Sequence, residues 1–198
     1  SERHMSRIFR AVLLLAALSS CGTRNYSAPR NLENACSIVS ERPEYLRAFK
    51  ATQKKWGVPV PVLMAIIYQE SKFIGNNRTP HQFALGVIPI GRQSSAFGYS
   101  QALDGTWKEY QRAEGGRGAR RDDIKDASDF MGWYMAQTKE ATGVQLNDTR
   151  NQYLAYHDGR TGFLRGTWKS KAWLIRIADG LEDRAITYDA QLRACRKI

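Results

Sequence analysis

Val62-Leu63-Met64-Ala65-Ile66-Ile67-Tyr68-Gln69-Glu70-Ser71 is an apolar run that closes on a single carboxylate. Leu63, Ile66, Ile67 and Glu70 fall at i, i+3, i+4 and i+7, a spacing that predicts a helix whose apolar stripe is continued by Glu70. A carboxyl group in that position is shielded from water, so its pKa rises and it can hold a proton near neutral pH. Pro61 suits the first turn, where its missing N–H would have no partner anyway. Glu70 is therefore the leading candidate for a proton donor. The alternative is that the helix simply surfaces there.

Outward from this run, Pro43 opens a helix that reaches Trp56 and ends at Gly57, with Tyr45, Phe49 and Trp56 as core contacts. Downstream, Gly75-Asn76-Asn77-Arg78-Thr79-Pro80 and Phe83-Ala84-Leu85-Gly86-Val87-Ile88-Pro89-Ile90 are too rich in breakers for a long helix. They predict a long loop or a small hairpin, serving as a groove wall or lid, or packed for stability. Residues 102 to about 113 read as a helix with Leu103, Trp107 and Tyr110 on one side. The basic stretch 115–121 interrupts it, as a solvated loop or as an anion nest. Asp122 and Asp123 suit the start of a helix through Phe130, Met131, Tyr134 and Met135 to about Thr142, with Gly143 as its stop. Asn147 or Asp148 caps the next, which carries Tyr153, Leu154 and Tyr156 and ends before Gly159. From Trp168 to about Arg193, Trp173, Leu174, Ile177 and Leu181 recur at helical spacing. The fold class is mainly α.

The chain has 198 residues, enough for one domain with a short extension, and carries a net charge of +11. Such a charge favours a polyanionic partner: nucleic acid, anionic lipid or an acidic cell-wall polymer. Lys and Arg are scattered through the chain, and no nucleic-acid motif with its aromatic or metal spacing occurs, which argues against nucleic acid.

Arg7 and Arg10 precede the apolar run 11–18, which is too short to span a bilayer but right for a signal-peptide core. Leu18-Ser19-Ser20-Cys21 resembles the lipobox of bacterial lipoproteins, in which the cysteine is acylated; an ordinary cleavage site with an incidental cysteine is the alternative. The expected organisation is a signal peptide over 1–20, a lipidated tether over 21–35, flexible to about Arg30, and a domain over 36–198. Losing Arg3, Arg7, Arg10 and Glu2 with the leader lowers the charge from +11 to +9. Cys36 and Cys195 then remain, an even pair in an exported chain, and are expected to form a disulfide.

Three short motifs add a resemblance. Glu70-Ser71, Gly98-Tyr99-Ser100-Gln101 and Ala155-Tyr156-His157-Asp158-Gly159 stand in the order of the Glu-Ser, Gly-Leu-Met-Gln and Ala-Tyr-Asn-x-Gly motifs. Those are the motifs of the lytic transglycosylases of the soluble-transglycosylase type, members of the lysozyme-like superfamily, which this chain resembles from about Pro59 to Gly159. Tyr99 and Ser100 replace the middle of the second motif, His157 replaces the asparagine of the third, and the gap from Glu70 to Gly98 is longer than usual. The resemblance implies a lysozyme-like helical domain acting on peptidoglycan at the bond between N-acetylmuramic acid and N-acetylglucosamine, with a 1,6-anhydro product and no cofactor. It implies Glu70 as general acid and then base, Tyr156 holding Glu70 or the sugar, and Ser71 and Gln101 bonding substrate in the groove. Together with the lipobox-like stretch ending at Cys21, it implies a lipid-anchored enzyme of the bacterial envelope, at the periplasmic face of the outer membrane. Tyr99, Trp107 and Trp133 are candidates for sugar stacking or for the core.

The rival readings are a hydrolytic muramidase that activates water through Asp104 or Asp158, and a non-catalytic glycan-binding or structural protein anchored by lipid. A Ser71-His157-Asp158 hydrolase lacks the Gly-x-Ser-x-Gly elbow. With three histidines, one of them in the leader, and the cysteines assigned, no metal site is expected.

Overall fold

The computed structural model describes residues 24–198; the run 11–18 and Cys21, on which the signal-peptide and lipidation expectations rest, lie outside the described residues. Asn34 starts helix α1 (Ala35–Glu41) by accepting the Ser37 N–H. Helix α2 (Pro43–Trp56) begins at its proline and stops at Gly57, which takes the left-handed conformation that glycine adopts without strain.

Helix α3 (Val60–Ser71) is buried without a break from Val60 to Ile67, packed among α2 and the two last helices of the chain. The expected stripe is thus part of a helix that is apolar all round, the pattern of a central helix. Its polar end, Tyr68 to Glu70, is what reaches partial exposure. Lys72 and Phe73 follow with positive φ (52° and 60°), unusual for residues with side chains. The Phe73 ring is fully buried and stacked on Tyr45 at 5.8 Å, and that anchorage holds the turn.

The segment after Phe73 is a hairpin: β1 (His81–Ala84) pairs antiparallel with β2 (Ile88–Arg92), with an irregularity between Gln82 and Phe83. Its residues are exposed on nearly every position, so it is not packed for stability.

Helix α4 (Asp104–Tyr110) is shorter than the periodicity predicts, because the chain widens into a π turn over Gln111–Gly115. Gly115 there lies so close to the Tyr110 ring that a Cβ would fall 2.4 Å from it. Asp123 caps α5 (Ile124–Thr142) by accepting the Lys125 and Asp126 N–H groups, and Gly143 ends it. Asp148 caps α6 (Thr149–Arg165). That helix was expected to end before Gly159; instead it kinks at Gly159 (φ 75°, ψ 160°) and resumes to Arg165. Finally, α7 (Ala172–Ala194) returns the chain to α1, where Cys195 is bonded to Cys36. The architecture is mainly helical, with a small two-stranded sheet, as in lysozyme-like domains.

The tether does not stay free to Arg30: Tyr26 donates to Asp122, its carbonyl accepts the Gly75 N–H, and Pro29 is buried. Of the two readings for Tyr99, Trp107 and Trp133 the core one holds: they are 4, 6 and 7% exposed, Tyr99 against Tyr45 and Trp107 and Trp133 in one aromatic cluster with Tyr110 and Phe130.

Candidate active site

The three motifs converge. The first lies at the end of α3, the second forms a turn before α4, and the third forms the part of α6 that leads into its kink. Gly98 has φ 83°, and a Cβ there would meet the Arg121 carbonyl at 2.1 Å, so the turn requires glycine. Ser71 Oγ donates to the Tyr99 carbonyl at 2.8 Å, and Tyr156 Oη donates to the Ser100 carbonyl at 2.6 Å. The turn is thereby held from both sides.

Glu70 lines a groove of about 430 Å³ together with Thr79, Gln101, Tyr153, Tyr156 and Trp173. A second cavity of about 290 Å³ adjoins it, sharing Gln101, Leu103, Tyr156 and His157. Burial pushes the Glu70 carboxyl up from 4.5 to about 7, while the Tyr153 phenol beside it pulls the other way by favouring the ionised form. Burial, with the Glu70 charge nearby, holds the Tyr153 and Tyr156 phenols well above their ordinary range. Both tyrosines are therefore neutral hydrogen-bond donors at any physiological pH.

Of the predicted binding residues, Gln101 and Tyr156 reach the groove. Gln101 does so from a left-handed backbone (φ 53°), with Nε2 donating to the Asn77 and Gly98 carbonyls. Ser71 is 1% exposed, and its hydroxyl is engaged by backbone carbonyls, so it braces the second motif from behind instead of facing the groove.

Asp158 is enclosed, its side chain 1% exposed, and bonded to Lys171 Nζ (2.6 Å), Thr167 Oγ1 and His157 Nδ1 (2.9 Å). Burial opposes its ionisation, but Lys171, Thr167 and His157 together outweigh burial and hold the carboxyl at about 2. An ionised carboxylate only accepts, so the His157 Nδ1 carries a proton in this contact. Asp104 lies outside the groove lining and is paired with Arg121 at 2.9 Å.

The sequence places Tyr153 and Trp173 on their helices and gives neither a part in the site. Tyr153 is buried but meets Glu70, three residues before Tyr156 on the same face of α6, a spacing that does signal a shared site. Trp173 is 48% exposed and packs edge-on to His157 at 5.3 Å, forming a groove wall. Its helical spacing with Leu174 and Ile177 gave no sign of this.

A helical fold of this kind, with a groove floored by a protonatable glutamate, is that of a lysozyme-like glycan-cleaving enzyme. The family model described as transglycosylase SLT domain matches residues 9–195, nearly the whole chain, and the protein belongs to that family. It is a lytic transglycosylase-type enzyme acting on peptidoglycan. No curated protein matches the chain.

Proposed function

We propose that Glu70 acts first as general acid and then as general base in cleaving the bond between N-acetylmuramic acid and N-acetylglucosamine, leaving a 1,6-anhydro end. The observation that carries this reading is that Glu70 is the one carboxylate among the described residues lining its groove. With a pKa of about 7, it can protonate the glycosidic oxygen near neutral pH. The substrate's own acetamido group then stabilises the developing cation, as in substrate-assisted glycosidases. Glu70, now ionised, accepts the proton of the sugar's C6 hydroxyl as that oxygen attacks C1. No water is consumed, and no second carboxylate is needed. Of the two carboxylates that a hydrolase could use as base, Asp158 is taken up by Lys171, Thr167 and His157, and Asp104 is paired with Arg121 outside the groove lining.

Tyr153 and Tyr156 support the carboxylate and the second motif, Gln101 offers its amide oxygen along the groove, and Trp173 offers an exposed ring for a sugar face. Cys21, after its short apolar core, would carry the lipid that holds the enzyme in the bacterial envelope, at the periplasmic face of the outer membrane.

Mass spectrometry of digested sacculi tests the reaction. The expected product ends in 1,6-anhydro-N-acetylmuramic acid, lighter by one water than a hydrolytic product and without a reducible end. Reducing ends as the main product would make the enzyme a muramidase. Binding of sacculi with no soluble product would make it a glycan-binding protein.

A further inference from the structure

Five of the eleven large apolar residues exposed among the described residues fall in one short stretch, the hairpin over residues 83–90. Phe83, Leu85, Val87, Ile88 and Ile90 are 53, 91, 77, 52 and 62% exposed. A cluster of this size at the end of a projecting hairpin is an interaction surface. Its chemistry narrows the partner. Glycan strands are gripped by aromatic faces and polar groups, and the tip from Leu85 to Ile90 offers aliphatic side chains only. Pairing with another strand is disfavoured, because Pro89 removes a donor from β2.

Charge points the same way. From Ser71 to Leu103 the chain contains no Asp or Glu, while Lys72, Arg78 and Arg92 lie on either side of the apolar tip. Arg78 and Arg92 are exposed, and neither is ion-paired among the described residues. An aliphatic tip above a cationic foot suits the interface of an anionic bilayer, where apolar side chains enter the acyl boundary and arginines meet phosphates.

The N-terminal segment approaches the same place. Gly75, at the start of the hairpin segment, donates its N–H to the Tyr26 carbonyl at 3.0 Å. Cys21 stands five positions before Tyr26, and five residues reach at most about 18 Å. A lipid on Cys21 would thus lie within that reach of the base of the hairpin segment.

We propose that the 81–92 hairpin is a membrane-docking element, with Leu85, Val87, Ile88 and Ile90 entering an anionic bilayer and Arg78 and Arg92 contacting its phosphates. Thr79 and Ser94, which flank the hairpin, also line the Glu70 groove. Docking therefore presents the groove to glycan lying against the membrane. This inference goes beyond the proposed reaction and does not require Cys21 to be acylated.

The test places a tryptophan at the tip (Leu85→Trp) or on the exposed face of α7 (Ile186→Trp) in the full chain, mixed with vesicles of phosphatidylethanolamine and phosphatidylglycerol containing brominated lipid. The emission added by Leu85→Trp should be quenched at least twofold, that added by Ile186→Trp should not, and Cys21→Ser should change neither. Adding Val87→Asn and Ile90→Asn to Leu85→Trp should abolish the quenching, as should Arg78→Gln with Arg92→Gln. Hydrolysis or transglycosylation of soluble glycan fragments should stay within about twofold in the Val87→Asn, Ile90→Asn protein. Equal quenching at both sites, or quenching that survives the asparagine substitutions, would overturn the proposal. So would equal quenching by purely zwitterionic vesicles. Shielding of the tip from iodide without vesicles, accompanied by dimerisation, would assign the surface to a second copy of the chain instead.

Discussion

Tyr156 Oη donates a 2.6 Å hydrogen bond to the Ser100 carbonyl, and Ser71 Oγ donates one of 2.8 Å to the neighbouring Tyr99 carbonyl. Tyr156 from the groove and Ser71 from behind thus hold the second motif through its backbone. Its middle side chains are then free to differ: Tyr99 is turned to the core, where it meets Tyr45 Oη at 3.2 Å.

Cleavage should depend on Glu70 being protonated. With its pKa at about 7, turnover is expected to fall as pH rises through 7, and Glu70→Gln should fold and lose cleavage of purified sacculi by at least a hundredfold. A rate profile on sacculi from pH 4.5 to 9 checks the first expectation. Near wild-type loss of turbidity in the variant would remove Glu70 from the reaction.

The same burial costs stability. The folded pKa of about 7 exceeds the ordinary carboxyl value of 4.5, so this group imposes no penalty below about 4.5, a growing one between 4.5 and 7, and its full penalty above 7. Glu70→Gln should therefore stabilise the protein by roughly 2–3 kcal/mol at pH 8 and by little at pH 4. Urea unfolding at the two pH values reads this difference.

Tyr153→Phe should raise the alkaline limb of the activity profile. The phenol favours the ionised Glu70, so its removal leaves burial less opposed and moves the carboxyl's pKa upward. A merely structural tyrosine would lower stability without moving the limb.

Ser71→Ala leaves the Tyr99 carbonyl without its side-chain donor in a site 1% exposed, and should cost about 1–2 kcal/mol of stability. Chemical denaturation measures the loss. If Ser71 instead bound glycan directly, KM would rise while stability stayed unchanged.

Cys36 and Cys195, 159 positions apart, close nearly the whole described chain into one loop. Reduction should lower stability by up to about 5 kcal/mol in the chain-entropy model. Non-reducing peptide mapping should recover one linked peptide from protein made in an oxidising compartment, and two freely alkylated cysteines would contradict the bond.

The sequence by itself determined the helical class, because apolar spacing, Pro43, Asp123, Asp148, Gly57 and Gly143 act locally on helix starts and stops. It also singled out Glu70 as the carboxylate that ends so apolar a run, while whether the helix surfaced there was left to the fold. Distance and side were decided only by the fold. Ser71 neighbours Glu70 in sequence yet points to the back of the second motif, because adjacent helical residues face about 100° apart. Trp107 and Trp173 look alike in their helical patterns, but Trp107 packs against Tyr110 and Phe130 while Trp173 meets His157 at the groove edge. Asp158 reads as a free carboxylate beside a motif until Lys171, thirteen residues later, is brought to 2.6 Å from it. Periodicity records which residues leave water, whereas which neighbours they meet depends on contacts between distant segments, and those exist only once the helices have packed.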